Sequence, residues 1–460
     1  MLSICGSNRN RFCDNLDRRS VLRIGSLGFT AGLSLADILK ASNAKTDSTK
    51  SVIMVYLCGG PTQFETFDPK PNAPVEIRGS FQPTATKIPG IQYCELLPKL
   101  SAINDKFSII RSLVGMENRH ESFQCYSGRP GGRPQDGEPA GGWPTFGSVI
   151  SRELGAGSNG ALPYVDASPQ MGYQPYANRG IHDNASKRSW PGFTGMGHIP
   201  FAVEAEVKKD LILNGISLDR LGQRERLLKQ VNNIRASAET SGIDSFQEKA
   251  FGILTSSNMA RALDLENEPQ KVRDWYGDPV TTDPSFGAPP QSSQHLLLAR
   301  RLVEAGVRCV TVAFGAWDWH SNREGTIEYL SNRYLPNFDR AISVLLTDLE
   351  QRGLSEQVQV IVWGEFGRTP RINAKGGRDH WERTQSVLIA GGNVQPGRTI
   401  GTTDKQGGVP IERPIHTQEV FATMYQHLGL DVNSVKIPDL NGRPRYLVDE
   451  NRQPIKELIT

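Results

Sequence analysis

Three of the chain's eight histidines stand in short strings rich in acids. His120 lies in Glu117-Asn118-Arg119-His120-Glu121-Ser122, His320 in Trp317-Asp318-Trp319-His320, and His380 in Gly376-Gly377-Arg378-Asp379-His380-Trp381. Two further acids sit among glycines or small residues, Glu65 in Gly59-Gly60-Pro61-Thr62-Gln63-Phe64-Glu65 and Glu365 in Gly364-Glu365-Phe366-Gly367-Arg368. Carboxylate oxygens and neutral imidazole nitrogens are the donors that Zn²⁺ or a similar divalent ion takes. Asp318, His320 and His380 are the expected ligands, with Glu65 and Glu365 completing or neighbouring the site. His120 and Ser122 are candidates for nucleophile or general acid, and Arg378 or Arg368 for holding an anionic ester. Each has a plainer reading. Asp318 and His320 can form a surface turn, and Glu365 can pair with Arg368 or Arg371. His380 can be a buried histidine bonded to Asp379 or to backbone, and Glu65 and Asp68 can cap a turn.

These strings need a frame that brings them together, and the apolar runs provide one. Ser51–Cys58, Phe107–Leu113, Val307–Phe314, Val358–Trp363 and Ser386–Ala390 are short, β-branched and mostly unalternating, the pattern of strands covered on both faces. Helical spacing fills Ser292–Ala305, Ile327–Arg352 and Thr417–Leu428, the last with Thr417 as its expected cap and Gly429 as its stop. Strands alternating with helices predict an α/β fold, a mostly parallel sheet with helices on both faces. In such sheets ligands bind beyond the carboxyl ends of the strands. Four of the chemical strings directly follow a strand-like run, and His380 directly precedes one.

The middle of the chain reads differently. Gly128–Gly142 is rich in Gly and Pro and is expected as an exposed loop; 151–205 is loop-like; Leu218–Ala238 and Ser245–Leu263 read as polar helices. The stretch 151–290 is therefore expected as an insertion or cap over the sheet, since strand patterns lie on both sides of it. No internal repeat is evident.

The first 44 residues read as an address. Arg18-Arg19 precede an apolar run from Ile24 to Leu39, followed by small residues at Ala41, Ser42 and Ala44. A basic start, a short apolar core and a small-residue cleavage site make a secretory signal, and the arginine pair points to the twin-arginine (Tat) translocase. The run is too short and too polar for stable membrane insertion. Residues 1–44 carry the whole formal net charge of +3, so the mature part, 45–460, is near neutral. That lacks the basic excess of a nucleic-acid binder. Four cysteines remain, with no zinc-module spacing. Cys58 and Cys309 fall in strand runs and read as buried thiols; Cys94–Cys125 is the one bridge an oxidising compartment suggests.

The strings Leu57-Cys58-Gly59-Gly60-Pro61-Thr62-Gln63-Phe64-Glu65-Thr66-Phe67-Asp68, Ala316–Asn322, Gly364–Asn373 and Gly377–Trp381, with the arginine-pair leader, resemble the secreted bacterial domain-of-unknown-function family fifteen-oh-one. That family is grouped with alkaline phosphatase-like and sulfatase-like proteins. The resemblance runs from Asp17 to the terminus. It implies a three-layer α/β/α sandwich, alkaline phosphatase-like, with a metal centre at the strand ends and a periplasmic or secreted location. It departs from the related phosphatases at Phe366, which stands where they have a histidine and cannot ligate, so one ion, zinc, is expected rather than two. No cysteine marks a sulfatase-type nucleophile. Two functions follow as expectations: metal-dependent hydrolysis of a phosphate or sulfate ester, carbohydrate-linked or not, and non-catalytic binding of a glycan or surface component on an old hydrolase scaffold.

Overall fold

The computed structural model describes residues 50–120, 122–129, 139–157, 161–169, 182–183, 188–203, 257–281, 290–321 and 325–459. The leader 1–44, Glu121, the centre of the Gly/Pro-rich loop and the helix expected over Leu218–Ala238 lie outside the described residues.

Among the described residues nine strands form one sheet: β1 Ser51–Tyr56, β2 Phe107–Val114, β3 Tyr164–Asp166, β4 Phe201–Ala202, β5 Cys309–Ala313, β6 Val358–Trp363, β7 Gln385–Gly391, β8 Thr399–Ile400 and β9 Ile415–His416. Their order is β8-β2-β7-β6-β1-β5-β3-β4, with β9 also on β2. Ser51 lies opposite Val358 and Val52 opposite Cys309, both parallel. Only β7 runs against its neighbours β6 and β2. All five expected strands are present.

Alternation along β1 shows why its sequence is apolar throughout. Ile53, Val55 and Leu57 enter one core and Val52, Met54 and Tyr56 the other, as the two-residue period of a strand requires. The first core is closed by α3 Ser257–Leu263, α4 Gln270–Tyr276, α5 Ser293–Glu304 and α6 Ile327–Gln351, through Met259, Tyr276, Leu297, Leu302, Phe338 and Ile342. The second is closed by α1 Phe123–Ser127, α2 Phe146–Leu154 and α7 Thr417–His427, through Phe123, Ile150, Phe421 and Met424. The result is the expected three-layer α/β/α sandwich with a mostly parallel sheet. Phe338 of α6 makes ring contacts with Phe67, Phe314 and Trp317; truncation of so buried a ring costs about 3–5 kcal/mol.

One local expectation is extended and two are corrected. Residues 151–290 do more than insert, because Tyr164–Asp166 and Phe201–Ala202 extend the main sheet beyond β5. The cap of α7 is His416, whose ring accepts from the Gln418 N–H while Glu419 accepts the His416 N–H. Thr417 instead donates to the Val114 carbonyl. Cys58, Cys94, Cys125 and Cys309 are all free and buried, and burial pushes every one of these thiols up. Cys94 and Cys125 belong to different surroundings, the first beside Thr66 and the second on α1 itself, in the second core.

The topology sets the site. β1, β2, β5 and β6 run the same way, so the loops that leave them gather at one edge. The reversed β7 starts at that edge, so the loop that leads into it arrives there too. No helix among the described residues is long and apolar enough to cross a membrane.

Candidate metal centre

Four loops build the cluster: one ahead of α1 with Asn118 and His120, one after β5 with Asp318 and His320, one after β6 with Glu365 and Arg368, and one ahead of β7 with Arg378, Asp379 and His380. They pack closely enough to demand glycine. Gly59 has φ +108°, and a Cβ there would stand 2.5 Å from the Asp318 amide nitrogen. Its own N–H donates to Glu365 Oε1 at 2.9 Å.

Asp318 is the hub. His380 Nε2 lies 3.0 Å from its Oδ1, His320 Nε2 2.9 Å from Oδ1 and His120 Nε2 3.3 Å from Oδ2. Arg368 Nη2 donates to Oδ1 at 2.7 Å. Each histidine presents its other nitrogen to a different acceptor. His120 Nδ1 meets Glu365 Oε1 at 3.0 Å, His320 Nδ1 meets Asp379 Oδ1 at 3.0 Å and His380 Nδ1 meets Asn118 Oδ1 at 2.8 Å. Phe366 lies against the His380 ring, their centroids 4.1 Å apart.

The charges follow from these contacts. Burial opposes ionisation of Asp318, but Arg368 and the three imidazoles outweigh it and hold the carboxyl well below the usual range. Burial also disfavours protonated His120, yet Asp318 and Glu365 overcome it and push its pKa up to about 9. For His380 burial wins, Asp318 only partly opposing it, and the pKa falls to about 4. Metals take the neutral imidazole; His380 already has that form at pH 7, whereas His120, held protonated by its two carboxylates, would release a proton on taking an ion.

One ligating atom each from His120, Asp318 and His380 lies within 4.8 Å of the others. Zinc donors in a tetrahedral site stand roughly 3–4 Å apart, so a small inward movement would complete a three-ligand site. Beside it Glu365 is fully buried and its Oε2 has no hydrogen-bond partner. A buried carboxylate oxygen left unpaired is costly, and a cation or a bound water is what would satisfy it. The donor set therefore fits a divalent ion.

The expected residues divide into two groups. Asp318, His120, His320, His380, Glu365 and Arg368 come together. His120 takes the place in the donor set expected for His320, whose Nε2 also receives Arg368 Nη1 at 3.4 Å. Glu65 and Arg378 form a separate buried pair, with Arg378 Nη2 donating to Glu65 Oε1 at 2.6 Å and Thr62 Oγ1 donating to Glu65 Oε2. Ser122 is buried at the head of α1, its carbonyl accepting from the Cys125 and Tyr126 amides.

The two arginines expected to hold an anion are already engaged in hydrogen bonds within the protein. Both are fully buried. Arg378 also donates to the carbonyls of Thr369, Pro370 and Ile77. Arg368 donates to those of Gly59, Gly60, Trp317 and Arg378. With every N–H engaged, each guanidinium is a strut between loops. Asn118 and Asp379 emerge as acceptors for the histidines. Sequence places them beside His120 and His380 but does not show that each serves a ring from elsewhere in the chain.

A comparison with curated proteins finds no match. Solved structures similar to this chain include a protein of the alkaline phosphatase superfamily from Vibrio parahaemolyticus, at 12% identity over 83% of this chain and 67% of that one, TM-score 0.36. A phosphonate monoester hydrolase from Silicibacter pomeroyi is similar at 10% identity over 85% and 76%, TM-score 0.37. The PsFucS1 sulfatase from Pseudoalteromonas sp. is similar at 10% identity over 85% and 70%, TM-score 0.35. A family model covers residues 49–459, a span that takes in every strand of the sheet and every loop of the cluster, and so the chain belongs to the family described as protein of unknown function DUF1501.

Proposed function

We propose that this chain is an exported hydrolase of phosphate or sulfate esters that works with one zinc ion at the strand ends. The observation that carries the reading is the convergence of His120, Asp318 and His380 from three loops to within 4.8 Å, next to the unpaired Glu365 Oε2. Those three residues would hold the ion, and Glu365 would orient His120 through its Nδ1. When bound, the ion would polarise the ester oxygen and lower the pKa of a bound water. His320 is a quarter exposed and lies between Asp318 and Asp379, where it can pass a proton to the departing alcohol. Arg368 would hold the loops, and the charge on Asp318, in place. Elemental analysis of the purified mature protein, followed by a panel of phospho- and sulfoesters, tests the reading. Stoichiometric zinc with turnover of one ester class is the expected result. A metal-free protein inert on the whole panel would remove it.

A second reading, a non-catalytic exported binder of a glycan or other anionic surface component, is favoured by one contact. Arg368 already supplies Asp318 with a fixed positive charge at 2.7 Å, which lessens its need for a metal. The same analysis separates the two. Export is tested apart from chemistry: replacing Arg18 and Arg19 by Lys is expected to leave precursor in the cytoplasm, and normal export of that variant would discard the twin-arginine signal.

A further inference from the structure

Beside the metal centre, exposed cations gather around one glycine. Gly408 lies in a turn held by Asp404, whose Oδ1 accepts from the Gly408 and Val409 N–H groups. The Gly408 carbonyl accepts from Trp381 Nε1 at 2.6 Å. A Cβ on this glycine would meet Pro370 Cγ at 3.1 Å and Trp381 Cζ2 at 4.0 Å. Arg371 follows Pro370, Lys405 stands in the turn, and Arg383 holds its guanidinium 5.4 Å from the centre of the Trp381 ring. All three cations are exposed, and none makes an ion pair among the described residues. Of the two acids beside them, Asp404 is tied into its turn and Glu382 is exposed, so positive charge prevails. Arg368 and Arg378, from the same loops, are buried and saturated; Arg371 and Arg383 keep their N–H groups for something from outside. A guanidinium matches a sulfate or phosphate with paired N–H donors. The indole is fixed by its own hydrogen bond and offers a half-buried apolar face among these charges. Gly367–Arg368 pairs with His380–Trp381, and alternation along that ribbon turns Trp381 to the face opposite His380. The surface therefore flanks the metal centre and is not part of it.

We propose that Arg371, Arg383 and Lys405, set around Trp381, form a docking surface for a glycan that carries several sulfate or phosphate groups. Separate anions along the chain meet separate cations, and a sugar ring between them lays its C–H face on the indole. A nucleic acid draws its affinity from many phosphate contacts and needs a longer basic stripe than this one. A small lone anion needs no aromatic face. The docking goes beyond the hydrolase proposed above and rests on neither reading of the metal centre.

The test is calorimetric titration of the mature protein with maltohexaose in sulfated, phosphorylated and unmodified form, and with linear polyphosphate. A charged hexaose should bind, the unmodified one should not, and the tighter of the two charged forms names the anion. Binding should weaken as salt rises, because exposed charges are screened. Combining Arg371→Gln, Arg383→Gln and Lys405→Gln should cost roughly 10-fold or more in affinity. Melting and zinc content should stay as in the native protein, since the fold gives these three side chains no ion-pair partner. Trp381→Ala, which leaves the cations, should weaken the charged hexaose more than polyphosphate. No binding of either charged hexaose, equal affinity in the triple variant, or polyphosphate bound as tightly as the sugar would overturn the proposal. Glycan binding that the triple variant loses, in a protein that takes up no zinc, would uphold the docking surface and sink only the metal-centre reading.

Discussion

Two carboxylate–arginine pairs lie at the strand ends, and they are built to opposite effect. Glu65 receives Arg378 and Thr62 on its two oxygens, and Arg378 has no N–H left for anything else. That pair is closed. Asp318 receives Arg368 too, but three imidazoles also crowd its oxygens, and an unpaired carboxylate oxygen of Glu365 lies nearby, joined to the cluster through His120. That assembly is open. Closed pairs hold loops together; an assembly with unmatched donors and acceptors can take up something from outside. Saturation of hydrogen bonds, more than residue type, separates the two.

The comparison is broken most directly by removing one member of the closed pair. Glu65→Gln leaves Arg378 buried without its countercharge, and breaking a buried pair costs about 3–5 kcal/mol. Thermal or urea unfolding should show that loss, with zinc affinity of the still-folded protein little changed. A stable variant with lost zinc would make Glu65 a ligand and reverse the assignment. Next in size is the open hub. Asp318→Asn and His120→Asn should each lower zinc affinity by more than the roughly 10–100-fold that an outer partner contributes, read by competition with a chromophoric chelator. Retention of native affinity by either would remove that residue from the donor set. Glu365→Gln lies between: about a 10–100-fold loss of zinc affinity with little change in melting, because Arg378 pairs with Glu65 and Arg368 with Asp318. A large loss of stability with zinc retained would place Glu365 among the struts.

Much of this frame was legible in sequence because burial on both faces writes an apolar run. β1 and β6 are buried at every position and are read directly. β3 was missed because Tyr164–Asp166 is three residues long, too short to display either a run or an alternation. The edge of the sheet that carries the cluster was also legible, since Asp318 and Glu365 follow strands and His380 precedes one. What sequence could not give was the pairing across loops. Arg378 stands beside Asp379 and His380, yet its guanidinium goes to Glu65, 313 residues away. Asp379 stands next to His380 but serves His320. Such choices depend on where loops cross, and nothing in a local string encodes that.

The smallest expected effect sharpens the comparison inside the open assembly. His320 was expected as a ligand from its place two residues after Asp318. In the fold its Nδ1 is on Asp379, which is more than half exposed, and its Nε2 is shared between Asp318 and Arg368. Contacts to an exposed carboxylate contribute about 0–1 kcal/mol. Arg368 keeps its carbonyl acceptors and Asp318 without this ring, so the loops stay tied. His320→Asn should therefore change zinc affinity by only about threefold and unfolding by at most about 1 kcal/mol. If His320 is also the proton donor to the leaving alcohol, the same variant loses turnover on poor leaving groups more than on good ones. Loss of zinc from His320→Asn comparable to that from His120→Asn would return His320 to the donor set and undo the distinction between the two histidines.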